Sequence, residues 1–242
     1  MNINDFLKLQ ADGEQNFSGI NLSGALLREA NLVNSNFSKA NLSESDLREA
    51  RLGQANFSEA NLMGANLSET ILWGTNFSYA NLSQAELREA DLTGAKLIKA
   101  NLEKSHLIKA CLCGCLGMGA VFSNALLLEA DLRPNYDFPT NLTEAILSGA
   151  NLSYANLSGV ILQKANLDEA KLCRAIFSCF QKEKFYQADL SYASLQGADL
   201  SYADLSGVNL FKANLRGADL SKTILTGANL AGAIMPNGTV HD

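Results

Sequence analysis

Beginning at Phe17, a leucine or phenylalanine occupies every fifth position as far as Leu112 without a gap. Neither an ordinary helix nor a strand tolerates that period. Five residues advance an α-helix by about 500°, so successive leucines drift around the axis instead of forming a stripe. In an extended strand an odd spacing throws alternate leucines onto opposite faces. A short extended piece followed by a corner does satisfy the period, because each corner returns the next leucine to the same side. The position two before each leucine is nearly always small, as at Ala25, Ala30, Ser35, Ala40, Ser45 and Ala50, and it shares that side. The residue between them is usually Asn or Asp. The unit is an internal repeat, and it sets the fold before any helix or strand is assigned.

A second, longer period supplies the number of corners. The stretches QNFSG, SNFSK, ANFSE and TNFSY place Phe17, Phe37, Phe57 and Phe77 twenty residues apart. LREA recurs in the same register at 27–30, 47–50 and 87–90. Four five-residue units per circuit would stack these residues in columns, with backbones about 4.8 Å apart in a parallel ladder. The four phenylalanines then line one inner wall. Each enclosed leucine, Leu67 at mid-rod among them, stabilises by roughly 1.5–3 kcal/mol.

From residue 15 to residue 235 this pattern resembles the pentapeptide-repeat family. The resemblance implies an all-β chain wound as a right-handed quadrilateral parallel β-helix, four pentapeptides per coil. The Asn-Leu-rich units and the ending MPNGTVHD resemble cyanobacterial members, whose biochemical roles are mostly unknown.

An open stack of coils exposes unpaired backbone and an apolar end, so caps are expected. Residues 1–14 read as an N-terminal cap, with a short helix over 4–11 begun by Asn2 or Asn4. Phe6, Leu7 and Ala11 would cover the first coil. At the far end Ile234, Met235 and Pro236 close the repeat, leaving 236–242 as a short covering turn.

Three stretches depart from the pattern: 113–119, where Gly117 replaces leucine; 133–140, with Asp137 in the central slot; and 178–187. Leu132 and Leu142 are ten apart, so RPNYDFPT reads as adding no residues, whereas Phe177 and Leu190 are thirteen apart and imply three extra. Positions 117, 137 and 177 differ by multiples of twenty, which puts all three faults on the phenylalanine wall. Tolerated drift explains that clustering, and so does a recognition surface in which Tyr136, Phe138, Phe185 and Tyr186 contact a partner.

Little here suggests chemistry. The only histidines are His106 and His241, too few for a Ser-His-Asp or Cys-His arrangement. Cys111 and Cys113 flank the inward Leu112 and point outward, Cys115 fills a small inward slot, and no metal or other cofactor is expected. Cys173 falls in the same outward column as Cys113, about 14 Å away and beyond disulfide reach. The five cysteines are odd in number and form no disulfide framework. MNINDFLKLQ has neither the basic start nor the apolar run of a secretory signal, and 111–128 is broken by Gly and Asn, so a cytoplasmic chain without a membrane span is expected.

A formal charge of −6 argues against direct nucleic-acid binding. Glu29, Glu49, Glu69 and Glu89 form an acidic column, largely compensated by Arg28, Arg48 and Arg88 beside it. The expected function is a non-catalytic, monomeric scaffold that binds a protein partner through its rod surface. The resemblance supplies the alternative, because some family members inhibit DNA gyrase by imitating duplex DNA. Those members dimerise through a C-terminal helix that MPNGTVHD cannot provide, and the charge is weak for such a mimic.

Overall fold

The computed structural model describes residues 3–136, 138–181 and 184–242, with side chains omitted at 3, 4, 7, 180, 181, 184 and 185. Beyond one helix, one hairpin and two antiparallel bridges, the described residues form a ladder of isolated parallel bridges. Asn16 pairs with Asn36, Asn21 with Asn41, Leu26 with Asp46 and Asn31 with Arg51, so four units complete a circuit of twenty residues. The four walls are named here for their first central residues: Phe17 (first), Leu22 (second), Leu27 (third) and Leu32 (fourth).

Each unit turns for a local reason. The N–H three residues after the leucine donates back to the leucine carbonyl, as from Ala40 to Phe37 at 3.0 Å. The third residue of that turn has φ near +60°, whether glycine or not. The Asn or Asp before the leucine folds its Oδ1 onto the N–H two residues on, as Asn36 does for Ser38 at 3.1 Å. The Asn side chains also bond along the rod. Asn36, Asn56 and Asn76 each donate Nδ2 to the Asn of the preceding circuit at 2.9–3.2 Å.

These turns aim the leucines and small residues at the axis. Leu67 is fully buried, and Phe37, Phe57 and Phe77 are too. Phe17 to Phe77 stack with ring centroids 5.0–5.3 Å apart. At the N-terminus α1 (Ile3–Ala11) lays Phe6 edge-on against Phe17, with centroids 4.7 Å apart. Two expectations about this cap change. Asn4 lies inside α1 and so does not start it, and Ala11 is exposed while Leu9 packs on the core. Asn2 and the Leu7 side chain lie outside the described residues. At the other end the tail doubles back, pairing Ile234 antiparallel with Val240.

Residues 113–119 are not irregular. Leu97 N–H bonds to Leu116 at 2.7 Å and Lys99 N–H to Met118 at 3.0 Å, the same spacing as in the circuits without an insertion. Gly117 leaves room inside, and Leu142 Cδ2 occupies it, 2.7 Å from where a Cβ would stand.

Candidate functional site

The true departures are two insertions, both longer than the sequence suggests. Leu116 pairs with Asn141 and Asp131 with Asn156, twenty-five apart, so the 133–140 stretch adds five residues. Ile161 pairs with Asp189 and Ile176 with Asp204, twenty-eight apart, so the 178–187 stretch adds eight rather than three. The eight are spent on a hairpin of β1 (Ser178–Gln181) and β2 (Lys184–Gln187), paired antiparallel from Ser178–Gln187 inward.

These lengths move the later residues to other walls. Leu142, not position 137, continues the phenylalanine wall, since Gly117 N–H bonds to Asn141 at 2.8 Å. Phe177 belongs to the fourth wall, above Leu157, whose N–H bonds to Ile176. Cys173 consequently lies on the third wall rather than in line with Cys113, because Lys171, two residues before it, pairs with Asn151. The faults share no wall. Instead, both insertions leave the rod at one corner, between the fourth wall and the first, two circuits apart.

The first loop is anchored at its base. Arg133 forks onto Asp131, with Nε–Oδ1 3.0 Å and Nη2–Oδ2 2.7 Å. Burial works against the Asp131 carboxylate, but donation from Arg133 outweighs it and holds the group below the usual carboxylate range. Thr140 is fully buried: its Oγ1 accepts the Gly114 N–H at 2.8 Å and lies 3.1 Å from the Leu112 and Arg133 carbonyls. Asn135 and Phe138 exchange both backbone hydrogen bonds at 2.9 Å, closing the loop tip.

Tyr136 and Phe138 are 82% and 72% exposed. Phe138 lines a shallow cleft of about 200 Å³ with Gly94, Gly114, Leu116 and Asn135. Tyr186 lies at the base of the hairpin, partly exposed. The Phe185 side chain and Asp137 lie outside the described residues. What brings the loops together is Gly159, in the turn of the intervening circuit. A Cβ there would stand 3.0 Å from Pro134 and 3.2 Å from Tyr186. Pro134, Thr140 and Gly159 were not singled out from sequence. The signal available was the glycine run at this corner, Gly74, Gly94 and Gly114, twenty residues apart; Gly159 joins it only through the five added residues.

Elsewhere the polar groups are satisfied locally. His106 Nδ1 sits 2.9 Å from Glu86 of the preceding circuit. Cys115 is buried and donates to the Leu92 carbonyl at 2.9 Å, and burial pushes its thiol up. Cys111 and Cys113 are half-buried neighbours. Their mutual contact draws the Cys111 thiol below the ordinary range and, with burial, raises that of Cys113. All five cysteines are free. Among the described residues no three His, Cys, Asp or Glu side chains group to hold a metal ion. No helix among them is long and apolar enough to cross a membrane.

Eight copies of the pentapeptide repeat match the chain over 16–54, 55–94, 85–116, 140–178, 188–227 and 203–237, passing over both loop tips. The chain belongs to the pentapeptide-repeat family. Among solved structures it is similar to HetL, a pentapeptide repeat protein involved in heterocyst differentiation regulation from the cyanobacterium Nostoc sp. strain PCC 7120. The two are 52% identical over 100% of both chains, with a TM-score of 0.85. QnrB1, a plasmid-mediated fluoroquinolone resistance protein, is 23% identical over 85% of this chain and 89% of its own, with a TM-score of 0.30. Rfr23 from the cyanobacterium Cyanothece 51142 is 36% identical over 43% of this chain and 65% of its own, with a TM-score of 0.23. The latter two superpose too loosely to bear on function. Comparison with curated proteins finds no match. As a pentapeptide-repeat chain with a full-length neighbour in HetL, it is a β-helical rod.

Proposed function

We propose that this rod is a cytoplasmic, non-catalytic scaffold, wound as a right-handed quadrilateral β-helix, whose double-loop corner receives a protein partner. The observation that carries the reading is the convergence of two insertions on Gly159, with Tyr136 and Phe138 held out in solvent beside a cleft. Loops on a rigid frame suit recognition because the frame removes most of the ordering cost. Buried Thr140 and the Arg133–Asp131 fork supply that rigidity here. Five free thiols suit a reducing compartment. Likeness to HetL along the whole chain extends the proposal to a part in regulating differentiation.

The gyrase reading finds no support in the charge arrangement. Glu49 and Glu89 are ion-paired with Arg28 and Arg88, so the acidic column is compensated on its own surface. The test is cross-linking capture from native lysate with the wild type and a Tyr136→Ala/Phe138→Ala variant. A partner lost from the variant supports the loop corner, and an unchanged partner set rejects it. A supercoiling assay run in parallel rejects the scaffold-only reading if gyrase is inhibited.

A further inference from the structure

The corner that follows the third wall differs from the other three. Its ten residues, from Glu29 to Lys222, are all non-glycine at φ between 55° and 61°. Every other corner column includes glycine, as at Gly19, Gly24 and Gly94. Left-handed backbone costs any L-residue free energy that glycine avoids, so side chains are kept along this edge at a cost. The column is also unbroken. Each corner N–H bonds into the next circuit, from Glu29 to Arg48 at 2.9 Å up to Tyr202 to Ser221 at 2.9 Å, because both insertions leave at a different corner.

The two halves of the column differ in charge. Glu29, Glu49, Glu69, Glu89 and Lys109 form the lower half; Glu129, Tyr154, Arg174, Tyr202 and Lys222 form the upper. In the upper half cations rest on rings. Arg174 lies 5.7 Å from the Tyr154 ring and 5.2 Å from that of Tyr202, and Lys222 lies 4.9 Å from Tyr202. Arg174 and Lys222 have no carboxylate partner among the described residues.

Turned end for end, the column complements itself. A twofold axis midway between the circuits of Lys109 and Glu129 sets Glu29 against Lys222, Glu69 against Arg174, and Lys109 against Glu129. Glu49 and Glu89 meet the phenol groups of Tyr202 and Tyr154. The adjoining fourth-wall column keeps the register, opposing Arg51 to Asp204 and Ile71 to Ile176. Those isoleucines are 39% and 41% exposed, so the pair would bury apolar surface on contact. On the other flank Arg28, Arg48 and Arg88 meet Ser221, Ser201 and Ser153, and Ile108 meets Leu128 beside the axis. No like charges are opposed in these three columns.

We propose that this edge is the contact surface for a second copy of the same chain, docked antiparallel about that twofold axis. The arrangement replaces the monomer expected from sequence and leaves the double-loop corner free in both copies. Ten circuits at about 4.8 Å give an edge roughly 45 Å long. A strip about 15 Å wide then buries on the order of 1,300 Å² over both copies, within the range of specific interfaces. Much of the complementarity is charged, so the contact weakens as salt screens it.

Sedimentation velocity of the full chain tests the proposal. A dimer is expected in low salt, with a dissociation constant that rises as salt is added. Glu69→Arg and Arg174→Glu, each counted twice by symmetry, should each weaken it by about tenfold or more, and the double charge swap should restore it. An Ile71→Cys/Ile176→Cys variant should cross-link between copies on mild oxidation. A wild type that stays monomeric up to about 100 μM overturns the proposal. So does a dimer that ignores the charge swap.

Discussion

The first four circuits, with Phe17 to Phe77 on one wall, and the circuits from Leu132 to Leu190 share a closed apolar interior and differ at their corners. In the first region every pairing is twenty residues apart and the rings stack without interruption. In the second, thirteen extra residues enter between the fourth and first walls, yet Leu142, Leu157, Phe177 and Leu190 stay buried. The comparison shows where the repeat is strict. Inward positions are bound by the core, while a corner can lengthen if its backbone groups find other partners.

Four measurements break or sharpen that contrast. Leu67→Asp places a carboxylate in the strict interior with no partner, and thermal unfolding should show a loss of about 4 kcal/mol or more. A melting temperature unchanged by Leu67→Asp would refute an inward Leu67. Thr140→Val removes the acceptor for Gly114 N–H at the base of the first loop, for an expected loss of about 1–3 kcal/mol in urea titration. Gly159→Ala and Gly227→Ala sit at the same corner with φ of +73° and +71°, but only Gly159 is crowded, by Pro134 and Tyr186. Gly227→Ala should cost about 1 kcal/mol and Gly159→Ala about 1 kcal/mol more. Equal losses would mean that the loops do not close on Gly159. The smallest effect is expected from replacing residues 134–139 with one glycine, which restores a twenty-residue circuit. Stability should change by no more than about 1 kcal/mol, while partner capture is lost.

One physical reason hides both insertion lengths from the sequence. A period of five reports whether a residue points inward, and it is blind to additions of five. Leu132 and Leu142 are ten apart with or without an extra unit, so the first loop was invisible as an insertion. Phe177 to Leu190 is thirteen, which is compatible with three extra residues or eight, and the hairpin uses eight. From there the misplacement of Phe177 and Cys173 followed. Tyr136 and Phe138 could be named from their types, but Pro134 and Tyr186 meeting at Gly159 could not.

The order of small and large residues by itself determined that Leu67, the phenylalanine column and Ala40-like positions face the axis, because only the interior excludes water from them. It determined the four-unit circuit too, through the twenty-residue return of Phe17. Which wall each later unit occupies was decided only in three dimensions. That choice depends on hydrogen bonds such as Gly117 to Asn141 and Leu162 to Asp189, formed between circuits whose separation along the chain no local pattern records. The shared corner of the loops and the end-for-end complementarity of the Glu29–Lys222 edge are consequences of that stacking.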